Sequence, residues 1–160
     1  RYMAEGNNAQ KAIDKAINND TEKDSRQISA IDINGNTGVF SGSKNSPVIH
    51  QIQKENLVAS GNILSSCEVL ETMCETYIKS ESPPEKKMLE ALKKAYETGG
   101  DKRGLMSASI LVLSNDKPPL SLRIDYSKNP LNDLEILVNK CTQKDYKQWM
   151  KSLPNRKLIK

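Results

Sequence analysis

The spacing of apolar positions along this chain changes several times, and each change marks an element. Over residues 9–19, Ala9, Ala12, Ile13, Ala16 and Ile17 recur three and four apart on a polar background, as in a helix with one buried stripe. Asn8 stands directly before them, where its side chain can cap the first turn. From Ile28 the period falls to two. Ile28, Ala30 and Asp32 alternate with Gln27, Ser29 and Ile31, which reads as a strand. Asn34-Gly35 is a hairpin signal, because both residues accept positive φ, and Thr37–Ser41 is the returning strand. Residues 42–47 read as a polar loop and residues 56–59 as a third strand, closed by the turn Ser60-Gly61-Asn62.

Two helices follow. Ser65 and Glu68 have the spacing of a capping box ahead of Val69, Leu70, Met73, Tyr77 and Ile78. Pro83 and Pro84 suit the first turn of the next helix, whose apolar face is Met88, Leu89, Leu92, Ala95 and Tyr96. Glu90 and Lys94 are ordered for an i,i+4 pair on its exposed side. The run Gly99-Gly100-Asp101-Lys102-Arg103-Gly104 ends that helix with more charge and more glycine than a simple reversal needs. Residues 107–113 are almost continuously apolar, as in a strand covered on both faces. Leu120, Leu122 and Ile124 alternate with Ser121, Arg123 and Asp125 in a further strand. Asn129-Pro130 opens a last helix carrying Leu131, Leu134, Leu137, Val138 and Cys141. Tyr146, Trp149, Met150 and Leu153 extend it or form a second short one. About five strands and four or five helices, in blocks and not in strict alternation, predict an α+β layered fold.

Composition narrows the function. The chain has 160 residues, enough for one domain with a real core; residues 1–154 read as that domain and 155–160 as a basic tail. The net charge of +4 is small, with both signs spread along the chain. No basic stripe with interleaved aromatics appears, which argues against a nucleic-acid partner. No apolar run reaches membrane-spanning length, and no signal peptide is visible. Cys67, Cys74 and Cys141 lack metal-ligand spacing, and the single histidine, His50, excludes a His-rich zinc site. Cys67 and Cys74, seven residues apart, read as small apolar residues on one helix face. One disulfide is possible but not implied by three cysteines, so the expected setting is a reducing, cytoplasmic one.

The order of these blocks resembles a domain-of-unknown-function family, number 1028, placed in the N-terminal-nucleophile (Ntn) hydrolase superfamily. The resemblance runs from about Tyr2 to Leu137. It rests on Arg26-Gln27 entering the first strand, Asp32 with Gly35 in the hairpin, Ser41-Gly42 at its return, His50, and the Gly61-Asn62 turn. The 99–104 loop with Ser107-Ala108, and Leu122-Arg123-Ile124-Asp125 ahead of Pro130, complete it. It implies a four-layer αββα sandwich that here lacks its N-terminal strands. It also implies amide-bond chemistry in which a leading Thr, Ser or Cys attacks a carbonyl with its own α-amino group as base. Arg1 cannot do this, so the resemblance places the nucleophile in a segment preceding this chain. The chain departs from the family pattern at Ser60 and Met106, where Gln is usual. It departs again at Tyr126-Ser127, in place of an acidic, histidine-bearing stretch, and at Pro47-Val48-Ile49, which lacks the usual Trp.

Within that frame Asn62 is the candidate oxyanion donor, since a side-chain amide at a strand end can hold a developing negative oxygen. The same residue type also suits a left-handed backbone or a helix cap. Asp101 and Arg103 are candidate supports that orient a substrate or the terminal amine; the alternative is an ion pair that locks their own loop. His50, Gly61, Ser107, Arg123 and Asp125 are candidate substrate contacts. His50 also fits a plain exposed loop residue, Ser107 a packing residue, and Arg123 with Asp125 a surface pair. The expected function is an amidohydrolase acting on carbon–nitrogen bonds of a small-molecule or peptide amide, with no cofactor and no metal. The rival is a non-catalytic assembly or binding module on the same sandwich. A weaker third reading is a small-ligand binder with a repurposed pocket. Sheet edges left open by the absent strands predict a homo-oligomer.

Overall fold

The computed structural model describes residues 1–154, and the tail expected over residues 155–160 lies outside them. The chain is α+β. Among the described residues there are five α-helices and three two-stranded antiparallel sheets. They form two compact units, one of Arg1–Cys74 with Ala95–Arg103, the other of Glu75–Lys94 with the described residues from Gly104 onward.

The first unit begins with α1 (Ala9–Asn18), whose N-terminus is capped as expected: Asn8 Oδ1 accepts the Lys11 N–H at 2.9 Å. A 3-10 turn at Lys23–Ser25 leads to β1 (Gln27–Ile31), which pairs with β2 (Thr37–Ser41) from Gln27↔Ser41 to Ile31↔Thr37. The connection is longer than the pair Asn34-Gly35 alone predicts, because Asp32 leaves the strand to organise the turn. Its carboxylate accepts the backbone N–H groups of Asn34 (2.9 Å) and Asn36 (3.0 Å), the Asn36 side-chain amide (2.9 Å), and the Ala9 N–H (3.3 Å) at the start of α1.

Those donors, the Asn36 amide foremost, hold the Asp32 carboxyl below its ordinary pKa. A carboxylate lowered on folding stabilises the native state above its unfolded pKa, and that contribution is lost as pH falls through the lower folded value. The stability gap between wild type and Asp32→Asn should therefore shrink as pH drops below about 4. Urea midpoints at pH 7 and pH 3 measure it. A gap that does not change with pH would assign the turn's stability to geometry alone.

On β2, the Gln10 side chain from α1 takes the place of a neighbouring strand. Val39 N–H donates to its Oε1 (3.0 Å), and its Nε2 donates to the Val39 carbonyl (3.3 Å). β3 (His50–Lys54) and β4 (Leu57–Gly61) form the next hairpin, in register from His50↔Gly61 to Lys54↔Leu57. β3 raises the strand count from about five to six, and it places His50 in a strand, not a loop. The segment His50-Gln51-Ile52-Gln53-Lys54 has one apolar residue and so carries no readable alternation. The side facing β1–β2 is polar: Ser41 Oγ donates to Gln51 Oε1 at 3.1 Å, and Ser60 Oγ to Ser29 Oγ at 3.2 Å. The other side is apolar. There Ala59 and Leu64 pack with Val69, Leu70 and Cys74 of α2 (Glu68–Lys79) and with Ala95, and Ile52 and Leu57 join them. The order within this unit is thus helix, hairpin, hairpin, helix.

The expected capping box does not form. Ser65 lies in a bend ahead of the helix, its N–H bonded to the Gly100 carbonyl (2.9 Å), and its hydroxyl is buried with no partner among the described residues. Gly99 is what admits it: at φ +122°, a Cβ on Gly99 would stand 2.3 Å from Ser65 Oγ.

In the second unit, α3 (Pro84–Glu97, its last residues counted with the first unit) and α4 (Pro130–Cys141) cover one face of the hairpin β5 (Ala108–Val112) and β6 (Leu120–Ile124). Leu89, Ile110, Leu122, Leu134, Val138 and Cys141 form the core. The expectation that residues 107–113 are covered on both faces fails. Ile110 is buried, while Leu111 and Leu113 are 57% and 69% exposed. Glu90 accepts hydroxyls from Ser80 (2.5 Å) and Ser82 (2.7 Å), tying the α2–α3 connection to α3. After Thr142 and Gln143 a separate short helix, α5 (Lys144–Ser152), turns its Tyr146 toward the core.

Candidate functional site

Polar side chains on the inner faces of two hairpins are costly unless paired, and the pairing found here converges on one residue. Gln27, the first residue of β1, points across to the β3–β4 hairpin. Its Nε2 donates to the Gly61 carbonyl (3.0 Å) and the His50 carbonyl (3.3 Å), and its Oε1 accepts Asn62 Nδ2 at 3.0 Å. One amide therefore fixes both ends of the His50↔Gly61 pair and the orientation of the Asn62 side chain. Ser29 and Ser60 continue this polar seam along the hairpins.

Immediately after Asn62 the chain meets the glycine-flanked loop. Leu64 and Asp101 form an antiparallel bridge, Lys102 N–H donates to the Ile63 carbonyl (3.0 Å), and Ser65 N–H to the Gly100 carbonyl. The two loops singled out in the sequence are thus joined edge to edge, through Ile63, Leu64 and Ser65 directly after Asn62. Val48 (φ +58°) and Ile63 (φ +55°) hold left-handed backbone in this region. That conformation is strained for β-branched residues and persists only where the surroundings enforce it. Leu64 N–H bonds to the Val48 carbonyl (3.3 Å), so both strained residues belong to the same framework.

The remaining residues singled out in the sequence are placed as follows. Arg103 forks onto Asp101 through Nε (3.0 Å) and Nη2 (2.6 Å), which lowers the Asp101 pKa and raises that of Arg103. Arg103 is exposed and Asp101 half-buried, and the pair locks its own bend. The His50 ring turns away from the seam toward Glu71 of α2, at 3.8 Å, while its carbonyl serves Gln27. Ser107, Arg123 and Asp125 belong to the second unit. Ser107 is exposed just before β5, and Arg123 and Asp125 pair with each other on the open face of β6.

Gln27 and Glu71 were not singled out from the sequence as site residues. For Gln27 a signal existed: Gln27 and Ser29 put two polar residues on the side of β1 that meets another hairpin. For Glu71 there was none. Among the described residues no cluster of three or more His, Cys, Asp or Glu side chains could hold a metal ion. No described helix is long and apolar enough to cross a membrane. The assembly can offer one oriented amide N–H pair, a fixed carboxylate–guanidinium bend and paired hydroxyls.

A family model described as "Family of unknown function (DUF1028)" matches residues 1–134. A crystal structure of a Silicibacter pomeroyi protein carrying the same family description matches with a TM-score of 0.90 at 34% identity, over 98% of this chain and 70% of that one. No curated protein matches.

Proposed function

This chain belongs to the DUF1028 family, and from that premise we propose that it supplies the oxyanion-binding side of an Ntn-type amidohydrolase acting on carbon–nitrogen amide bonds. A Thr, Ser or Cys outside these residues would attack the amide carbonyl and pass its proton to its own α-amino group. As the carbonyl carbon becomes tetrahedral, its oxygen takes on negative charge, and an Asn62 N–H would hold it. Collapse expels the amine, which takes the proton, and water then releases the acid. The observation that carries this reading is the Gln27–Asn62 amide pair. Gln27 takes one Nδ2 hydrogen of Asn62 and fixes the side chain, which leaves the other hydrogen for an incoming oxygen, two residues before the Leu64↔Asp101 bridge. The helix, hairpin, hairpin, helix order of the first unit also supports the four-layer αββα architecture proposed with it.

A second reading, a non-catalytic assembly or binding module, draws on a different observation. The hydroxyl of Ser60 is spent on Ser29, and the Arg103 fork on Asp101. One experiment separates them. A form of the protein whose mature chain begins with Thr, Ser or Cys is incubated with a panel of acyl amides, and its intact mass is followed. An acyl adduct on the first residue together with amine release carries the hydrolase reading. A competent first residue with neither carries the module reading.

A further inference from the structure

The second unit contains a cavity that the amide chemistry does not use. Its walls come from the first turn of α3, the β5–β6 connection, the end of α4, and α5, and its volume is about 640 Å³. That lies within the range of small-ligand pockets. Val112, Leu120, Cys141, Tyr146 and Met150 make the interior apolar. The Cys141 thiol donates to the Val138 carbonyl at 3.1 Å, and burial pushes its pKa up, so at neutral pH it adds no charge.

The sequence of α5 explains the shape of the site. Tyr146 and Met150 are four apart and half-buried along the cavity, while Lys147 and Lys151, one position on, form an exposed stripe at its rim. Lys117 from the β5–β6 connection joins them. None of these three ammonium groups lies within ion-pair distance of a carboxylate among the described residues. The acidic groups lining the cavity are placed differently. Asp116 accepts the Ser114 hydroxyl, and Glu85 sits in the first turn of α3, where the helix dipole offsets its charge.

We infer that this cavity binds a small amphiphilic carboxylate. Its alkyl or aryl body lies against Val112, Leu120, Tyr146 and Met150, and its carboxylate among Lys117, Lys147 and Lys151. An uncharged apolar guest makes no use of the three lysines at the rim. A phosphate ester fits less well, because no arginine among the described residues lines the cavity, and a lysine ammonium does not make the two-pronged contact of a guanidinium. The inference is independent of the amidohydrolase reading, which concerns the other unit.

Calorimetric titration of the protein with sodium octanoate, against octan-1-ol as its uncharged counterpart, tests it. Octanoate should bind saturably at one site and at least tenfold more tightly than the alcohol. Lys147→Glu with Lys151→Glu should weaken octanoate at least tenfold and leave the alcohol unchanged; both positions are exposed, so the fold should survive. Met150→Trp, which fills the interior, should abolish binding of both, with a thermal melt confirming that the variant is folded. No saturable octanoate binding, equal affinity for acid and alcohol, an unchanged affinity in the lysine variant, or binding retained by folded Met150→Trp would each overturn the assignment.

Discussion

Gly38→Ala should destabilise the first unit by about 2–4 kcal/mol, although local propensity points the other way. In a strand, alanine is better than glycine by roughly 0.5–1 kcal/mol, because glycine loses more freedom on folding. Packing reverses the sign. A Cβ at Gly38 would lie 2.6 Å from the backbone nitrogen of Gln10, 2.7 Å from its Cα and 2.8 Å from the Ala9 carbonyl carbon. All three atoms are helix backbone and cannot rotate aside, so α1 itself must lift. Lifting it stretches both Gln10–Val39 hydrogen bonds and the Ala9–Asp32 bond. The expected result is a lower urea midpoint with an unchanged slope, and a melting temperature lower by roughly 5–15 °C. A midpoint equal to or above wild type would mean that α1 and β2 do not approach so closely.

Asn62→Ala should lower turnover by about 100- to 1000-fold in an amide-hydrolysing form of the protein, the cost of removing one oxyanion donor, about 2.7–4 kcal/mol. Its effect on folding should be smaller, on the order of 1 kcal/mol. The Asn62 side chain makes one described hydrogen bond, to Gln27, and Gln27 keeps its bonds to Gly61 and His50. Asn62→Asp sharpens the comparison. It keeps the size and removes the donor, so it should be at least as inactive as the alanine variant. An aspartate variant with near-normal turnover would take Asn62 out of the chemistry. A large loss of stability with unchanged specific activity would make it purely a framework residue.

What the sequence discloses and what it hides divides along physical lines. Features decided by neighbours a few residues apart were legible. The Asn8 cap, the strand Thr37–Ser41, the start of α3 at Pro84 and its stop at Gly99-Gly100 all appear where local chemistry puts them. Features decided by distant partners were not. β3 is a strand because it pairs with β4, yet on its apolar side Ile52 stands between His50 and Lys54, and one apolar residue cannot show the alternation that marks a strand. Ser65 has the sequence of a cap, but the Gly100 carbonyl and the space above Gly99 compete for it and win. Residues 107–113 carry enough apolar side chains for two covered faces, while the second unit covers one. The site shows the same division. Asn62 and the 99–104 loop stood out by composition. That the chain just after one pairs with the other, and that Gln27 aims the amide, follows only from contacts across some thirty-five residues or more.

The left-handed Val48 and Ile63 have a consequence for whatever meets the Asn62 turn. Their backbone is already committed before any guest arrives, and the stress of keeping it there is carried by the surrounding hydrogen bonds. A molecule arriving at the Asn62 edge then does not have to order Val48 or Ile63, and the entropy of ordering them is not drawn from its affinity.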